Sequence, residues 1–210
     1  EGMDRYRISS IEPDLLTDES IACCASSPRF QHHFHIPLQS GADRILHLMR
    51  RRYTTERFAD RIAAVRRLMP DAFIGIDVIV GFPGESEADF RTTYEFLERL
   101  EPAFLHIFPF SERPGTPAAD LPDKVQASVA TRRVAELEEL CARLHGASCA
   151  RATGTVDTVP FESTMRGGML FGYTGHYRRV NALYDHGRIT TNCPLRHRDI
   201  GESHAHTVGI

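Results

Sequence analysis

The 210-residue sequence predicts an α/β fold followed by a small antiparallel β-barrel, and three observations support this. Over residues 1–150, apolar strand-like runs alternate with helix-like stretches, a pattern typical of parallel strands joined by right-handed crossovers. The run FIGIDVIV at residues 73–80 is almost wholly apolar and β-branched, as expected of a central strand covered on both faces. From residue 151 onward, short alternating runs separated by glycines replace this pattern.

The first region, residues 1–150, is predicted to contain four strands and the helices between them. The predicted strands are residues 5–11, 31–38, 73–80 and 103–110, and the predicted helices are residues 14–25, 43–51, 54–68, 86–100 and 123–145. Thr54 or Thr55 suits an N-cap, Ser86 and Asp89 have capping-box spacing, and Gly146 is expected to end the last helix. Four strands are too few to close a barrel, so the region is either a small open sheet or part of a larger barrel.

The second region, residues 151–210, is predicted to form five short strands. These are residues 155–161, 169–173, 177–183, 189–191 and 206–210. Seven arginines and five acidic residues give the region a formal charge of +2, which leaves −5 for residues 1–150. One interpretation of this difference is an RNA contact surface on the second region.

Composition excludes several classes of protein. The formal net charge of −3 does not fit binding of nucleic acid through overall basic charge, and no apolar run approaches the roughly 18 residues of a membrane span. Without a signal-peptide pattern, we expect a cytoplasmic protein. The five cysteines lack C-x-x-C or zinc-like spacing, which predicts no cysteine-ligated metal site and idle thiols in a reducing compartment. Because the chain starts at Glu1 and not at Met, just before a strand-like run, we expect it to be cut from a longer protein.

Histidines and arginines of the first region allow alternative interpretations. His33 and His35 share one face of a predicted strand and His32 points away, but no acidic or cysteine partner lies at a telling spacing. A metal site there is therefore disfavoured. The arginines within residues 50–67 suit phosphate contacts, although a solvated helix face explains them better.

Three loops follow predicted strands, where βα enzymes place their ligands. Segments 9–13 and 37–41 offer short polar side chains, and segment 81–85 offers backbone N–H groups beside a helix N-terminus, which favours a negative group. Tight turns need the same glycines and prolines, so turn chemistry is the alternative. Arg113 follows the fourth predicted strand and suits an anionic substrate.

An aromatic and basic stretch in the second region suits base stacking and phosphate contact with RNA. Its residues are Tyr173, Tyr177, Arg178 and Arg179. A structural role for the two tyrosines stays open as the alternative.

Together these segments resemble the radical SAM methylthiotransferase family. The resemblance lies in RISSIEPDLLTDE, HFHIPLQSGADRILHLMRRRYTTERF, IGIDVIVGFPGESEADF and FLHIFPFSERPGTPAA. The SSIEP and FPFSERPGTPAA segments are most similar to the branch that acts on threonylcarbamoyladenosine beside the tRNA anticodon. GYTGHYRRV at residues 172–180 resembles the TRAM domain, a small OB-like RNA-binding barrel.

The resemblance implies the fold and the chemistry of the whole enzyme. Residues 1–150 would be the C-terminal portion of a radical SAM (β/α) partial barrel, and residues 151–210 the TRAM barrel. S-adenosylmethionine and two [4Fe-4S] clusters would do the chemistry, with tRNA (its anticodon stem-loop) and an electron donor as partners. In the family, the three cysteines of a C-x-x-x-C-x-x-C motif bind one cluster. A separate N-terminal domain supplies three more cysteines for the other. Neither set occurs in this sequence, so the chain alone is expected to be inactive.

The resemblance also implies particular binding residues. Cofactor contacts fall on Ser9, Ser10, Glu12, Gln39, Ser40, Gly81, Phe82, Pro83 and Gly84. Arg113 matches an arginine at the substrate end of the barrel, where we expect it to help bind tRNA. Alternatives that remain open are an enzyme acting on isopentenyladenosine, an inert RNA-binding module and an ordinary phosphate-binding α/β enzyme.

Overall fold

The computed structural model describes residues 4–188, 192–196 and 206–207, and their strands form a parallel and a mainly antiparallel sheet. The parallel sheet has the order β1 (His33–Gln39), β2 (Phe73–Val80) and β3 (Phe104–Pro109). Five α-helices accompany it: α1 (Asp18–Ser26), α2 (Asp43–Leu48), α3 (Thr55–Leu68), α4 (Glu87–Leu100) and α5 (Ala127–Ala152). Within these ranges, no helix is long and apolar enough to cross a membrane.

Local sequence signals place several of these elements correctly. Strand β2 has the predicted bounds. Thr54 caps α3, because its hydroxyl accepts a hydrogen bond from the Arg57 N–H at 3.2 Å. Ser86 and Asp89 form the predicted capping box at the start of α4.

The prediction that Gly146 ends the last helix is wrong, because α5 continues to Ala152. The buried stripe of this helix runs through Leu137, Leu140, Leu144 and Ser148, at helical spacing on both sides of the glycine. Packing of this face against β3 outweighs the roughly 1 kcal/mol that glycine costs inside a helix.

The predicted strand at residues 5–11 is also wrong. This segment follows the edge of β1 without forming a ladder. Tyr6 makes a single bridge to Phe30, and the Ile11 N–H donates to the His35 carbonyl at 3.0 Å. Pro13, which has no backbone N–H, then starts a 3-10 turn. The segment before it therefore makes too few backbone hydrogen bonds to form a strand.

The two faces of the parallel sheet differ in chemistry. Phe34, Ile36 and Ile76 are fully buried among the apolar core. The alternate positions of the three strands carry His35, Asp77 and His106 on the opposite face, all half-buried. Register brings these polar residues together, since Asp77 pairs directly with His106. We call this surface the polar face of the sheet.

The second sheet follows α5 and has the order β7-β4-β5-β6-β8. Its strands are β4 (Val156–Arg166), β5 (Met169–Tyr173), β6 (Arg179–Leu183), β7 (Asn192–Arg196) and β8 (His206–Thr207). Three pairings are antiparallel, as predicted, and β6–β8 is parallel. The predicted strand at 189–191 lies outside the described residues, and closure into a barrel stays a prediction.

A small apolar core holds the second sheet together. It consists of Val159, Phe161, Leu170, Val180 and Ala182. Gly172 lies over β4 so closely that a Cβ there would be 2.6 Å from the Pro160 carbonyl oxygen, so only glycine fits. The domain boundary at residue 150 stays a prediction; that position lies in the last turn of α5.

Candidate functional site

A cleft of about 700 Å³ lies where the polar face of the parallel sheet meets the second sheet. We call it the first cleft. His33, His35 and His106 line it from the parallel sheet, and Tyr173 and Tyr177 from the second. Segment 5–9, including Ser9, closes a further side. A volume of this size is typical of pockets for small molecules.

His35, Asp77 and His106 form a cluster on the polar face. His35 Nε2 lies 2.5 Å from Asp77 Oδ1, and the two imidazole rings are 4.7 Å apart. Burial, followed by the proximity of His35, lowers the pKa of His106 below its ordinary value, so this imidazole is neutral at neutral pH. The ligand atoms of all three lie within 4.8 Å of one another, which is close enough for a shared proton or cation.

His33 is a second neutral imidazole of the first cleft. Its ring stacks on Phe73 at 5.5 Å and contacts Tyr177 at 4.8 Å. Burial, and then the charge of Arg7, lower the pKa of His33 to about 4. Its buried Nδ1 has no hydrogen-bond partner within the described part of the chain. A ligand in the cleft would satisfy this atom.

The tyrosines predicted to stack on RNA bases already stack on each other. The rings of Tyr173 and Tyr177 are parallel within 18° and 4.9 Å apart. The Arg7 guanidinium lies 4.4 Å from the centre of the Tyr177 ring. Both tyrosines therefore help to build the wall of the first cleft, and Tyr177 is 40% exposed.

Gln39 and Ser40 lie at the C-terminal end of β1, where helix α4 approaches closely. Gln39 is buried and adopts a left-handed φ of 70°. The Ser40 hydroxyl is fully enclosed, 3.3 Å from the Thr93 hydroxyl, and accepts the Ala42 N–H at 3.2 Å. Ser40 thus positions the β1–α2 turn, and neither residue lines the first cleft.

The loop of Gly81, Phe82, Pro83 and Gly84 satisfies much of its own polarity. The Gly81 N–H donates to Glu85 Oε2 at 2.6 Å, and the Gly84 N–H to the Asp123 carbonyl at 2.9 Å. Glu85 is buried and paired with the equally buried Arg133. The loop was expected to favour a negative group, and the carboxylate that it holds is its own Glu85.

Around this loop the predicted cofactor residues face different spaces. Phe82 packs edge-on against Phe110 and lines a cleft of about 340 Å³ that also contains Arg51. Gly81 and Pro83 line a separate cleft of about 250 Å³. Arg51 donates to Glu12 at 3.1 Å, which ties segment 9–13 to the C-terminal side of the sheet. Ser9 and Ser10 are exposed, and of these two only Ser9 lines the first cleft.

The three predicted substrate arginines are separated. Arg113 is exposed in the loop after β3, where its carbonyl accepts from Thr116. Arg179 is exposed and lies 5.0 Å over the Phe171 ring. Arg178 is buried and lines a different cleft from the tyrosines. The first cleft brings Tyr173, Tyr177 and Ser9 together, and the other predicted site residues lie outside it.

A second histidine–aspartate cluster joins the two sheets. Asp71, before β2, lies 2.9 Å from His32 Nδ1 and 2.7 Å from His176 Nε2 of the β5–β6 turn. His176 Nδ1 lies 3.2 Å from Asp157 on β4. Burial alone would lower the pKa of His176, but its bonds to Asp157 and Asp71 raise that pKa to about 9. We call these four residues the junction cluster.

Sequence analysis missed the acidic partners of both clusters. Asp71 is 39 residues from His32, and Asp77 is 42 residues from His35, so no local spacing reveals either pair. The one signal in the sequence was Asp77, the single acidic residue inside the apolar run 73–80. A carboxylate in a buried strand needs a partner.

Comparison with known proteins supports the resemblance drawn from the motifs. Residues 4–97 match the Radical SAM superfamily. Over 184 residues the chain is 41% identical to the threonylcarbamoyladenosine tRNA methylthiotransferase of Bacillus subtilis, and this covers 86% of the chain. The resemblance to the radical SAM methylthiotransferase family is confirmed.

Other methylthiotransferase relatives are named for a different modified base. The tRNA-2-methylthio-N(6)-dimethylallyladenosine synthase of Mycolicibacterium smegmatis is 46% identical over 144 residues, which cover 69% of the chain. The synthase of Syntrophotalea carbinolica is 40% identical over 187 residues, covering 86%. The chain spans 41%, 28% and 42% of the lengths of these three relatives, in the order given.

One solved structure has a fold similar to that of this chain. Coproporphyrinogen III oxidase from Escherichia coli, a radical SAM enzyme, superposes with a TM-score of 0.54 at 19% identity. The superposition covers 69% of this chain and 32% of the oxidase. At that identity the likeness concerns the fold.

Proposed function

We propose that this chain is part of a tRNA-modifying enzyme that adds a methylthio group to threonylcarbamoyladenosine beside the anticodon. The observation that carries the proposal is the 41% identity to the Bacillus subtilis enzyme. A match over 184 of 210 residues includes parts of both sheets. The SSIEP and FPFSERPGTPAA segments support the same branch. The enzyme would act in the cytoplasm with a separate electron donor.

The polar face suits part of the S-adenosylmethionine molecule. The first cleft is large enough for a small ligand, and the orphaned His33 Nδ1 offers it a hydrogen bond. His35 and His106 add two imidazoles, and Ser9 adds a hydroxyl on the opposite wall. When bound, the cofactor supplies the radical that removes hydrogen from the adenine ring.

The four cysteines whose side chains the structure describes do not fit an iron–sulfur cluster. Cys23, Cys24, Cys141 and Cys149 belong to no group of three ligand atoms, and Cys141 accepts the Leu105 N–H at 3.3 Å. We therefore assign no step through a cluster to residues of this chain. Its own residues orient the reactants instead.

Three residues of the polar face are placed for that role. The Asp77 carboxylate accepts a hydrogen bond from Nε2 of His35. This bond fixes the ring and leaves Nδ1 as the second polar atom of the imidazole. The neutral His106 beside it can accept or donate without adding charge to the cleft. These residues would bind and orient the cofactor or the adenine base.

The branch that acts on dimethylallyladenosine is the second candidate. The observations that favour it are the 46% identity to the Mycolicibacterium smegmatis synthase over 69% of the chain and the 40% identity to the Syntrophotalea carbinolica synthase over 86%. The two candidates share the chemistry and differ in the group on the adenine amine.

Nucleoside analysis of tRNA from a deletion strain tests both candidates. Mass spectrometry should show loss of methylthio-threonylcarbamoyladenosine, with the unmethylthiolated nucleoside accumulating in its place. Loss of the dimethylallyl derivative would instead establish the second candidate. An unchanged nucleoside profile would contradict both.

A further inference from the structure

A second cleft, of about 550 Å³, lies on the other side of the junction between the sheets. Arg66 of α3, Arg151 of α5 and Arg178 of the β5–β6 turn line it together with His176. Two helices and one turn that are distant in sequence thus each contribute one guanidinium. Such a convergence of cations is what anion recognition requires.

Arg178 lines this cleft from a turn that its backbone hydrogen bonds hold in place. The backbone N–H of Arg178 donates to the Thr174 hydroxyl at 3.1 Å, and the backbone carbonyl of Arg178 accepts the Thr174 N–H at 3.0 Å. These two bonds fix the turn. The residue is only 8% exposed, yet its Nε has no hydrogen-bond partner in residues 4–188, 192–196 and 206–207. A buried guanidinium N–H without an acceptor is costly unless a ligand supplies one.

Two acidic residues around the cleft, Asp71 and Asp157, are hydrogen-bonded to histidines. Both oxygens of Asp71 are engaged by His32 and His176, and Asp157 contacts His176 as well. Arg66 is held by the backbone carbonyl of Glu101 at 2.7 Å, not by its carboxylate.

The pKa values of Arg66 and Arg178 are both lowered, and burial is the main cause. Glu101 opposes the shift at Arg66, Asp157 and Asp71 oppose it at Arg178, and the charge of Arg151 adds to it at both residues. Arg151 therefore lies close enough to repel the other two guanidinium groups, and an anion between them would relieve this repulsion.

We propose that the second cleft binds a phosphate group of the RNA backbone, held by Arg66, Arg151 and Arg178. The inference rests on the proposed tRNA substrate and adds a site to it. It separates the GYTGHYRRV segment into two surfaces: Tyr177 faces the first cleft and Arg178 the second. A polynucleotide strand could then be held at the junction of the sheets while a base enters the first cleft.

Binding of an anticodon stem-loop RNA, measured by fluorescence anisotropy at several salt concentrations, tests the site. Arg151 is exposed in the last turn of α5, so Arg151→Gln is the test variant. Arg67→Gln, on the exposed side of α3 next to Arg66, is the matched control. Arg151→Gln should weaken binding about ten-fold and reduce the slope of log affinity against log salt by about one.

The outcomes separate this inference from the proposed function. If the stem-loop RNA binds the wild-type chain and both variants equally, the phosphate site is wrong, and the proposed tRNA substrate is unaffected. If the stem-loop RNA does not bind the wild-type chain at all, the proposed substrate fails and the inference fails with it.

The source of the phosphate is tested by the ¹⁵N resonance of the Arg178 Nε–H. The stem-loop RNA should shift this resonance at concentrations where inorganic phosphate has no effect, and Arg151→Gln should diminish the shift. A shift with inorganic phosphate but none with the RNA would overturn the assignment to the RNA backbone.

Discussion

The junction cluster and the cluster on the polar face use the same side chains for different purposes. Each places a carboxylate beside two imidazoles. At the junction, two carboxylates contact His176 and keep it protonated, so the cluster is an ionic link between the sheets. On the polar face, His106 is half-buried beside another imidazole and stays neutral. Burial lowers the pKa of both imidazoles, and only at His176 do the bonded carboxylates outweigh it.

The largest expected effect is loss of the junction link in His176→Gln. The raised pKa means that the folded protein binds this proton more tightly than the unfolded chain between pH 6.5 and about 9. The stabilisation is full below pH 6.5 and disappears as pH rises through 9. Urea unfolding should show a loss of about 3 kcal/mol at pH 6 and little loss at pH 9.5.

His47→Gln, at an exposed position of α2, is the control for this measurement and should leave the wild-type pH dependence intact. An equal loss in His176→Gln at both pH values would mean that packing, not charge, joins the sheets.

The opposite pH dependence is expected from His33→Phe. The pKa of His33 is lowered to about 4, so the unfolded chain binds more protons between pH 4 and 6.5 and the wild-type protein loses stability as the pH falls. Phenylalanine offers a ring for the same contacts with Phe73 and Tyr177 and has no titratable proton. The variant should therefore be about 2 kcal/mol more stable than wild type at pH 4.5, after allowance for partial exposure.

At pH 7.5 the two proteins should unfold within about 1 kcal/mol of each other. A variant that gains nothing at pH 4.5 would show that His33 titrates normally.

A functional effect without a structural one is expected from Asp77→Asn. The amide keeps an acceptor oxygen but removes the negative charge that strengthens the bond to His35, and outer partners of this kind contribute about ten-fold or more to activity. Because the cluster is half-buried, the free energy of unfolding should change by less than about 1 kcal/mol. Methylthiolation of tRNA in a deletion strain carrying the variant gene reports the activity. Asp120→Asn, at an exposed site, should modify tRNA as wild type does.

The smallest effect is expected from Arg113→Ala. Arg113 is exposed and lies away from both clusters, so a contact with tRNA there should contribute only about three-fold to modification. Arg99→Ala, which is equally exposed on α4, provides the baseline. Identical modification by the two variants would remove Arg113 from the binding surface.

Local signals predicted the elements and the resemblance, whereas the sites depended on distant contacts. The apolar run of β2 and the Ser86–Asp89 capping box are encoded within a few residues, so the sequence sufficed for them. Gly146 is a weak local signal that packing of α5 overrides.

Neither histidine cluster was predictable in this way, because strand register and the packing of the second sheet bring Asp77 to His35 and Asp71 to His176. The separation of Tyr177 from Arg178 arises in a tight turn with a left-handed φ of 59° at Tyr177, which the spacing of the motif does not reveal.

An NMR pH titration of the imidazole side chains tests the central distinction most directly. His176, assigned by its absence from the spectrum of His176→Gln, should titrate near pH 9, and His106 should titrate below the ordinary value of about 6.5. Titration of both near 6.5 would contradict the account, since the two clusters would then carry the same charge.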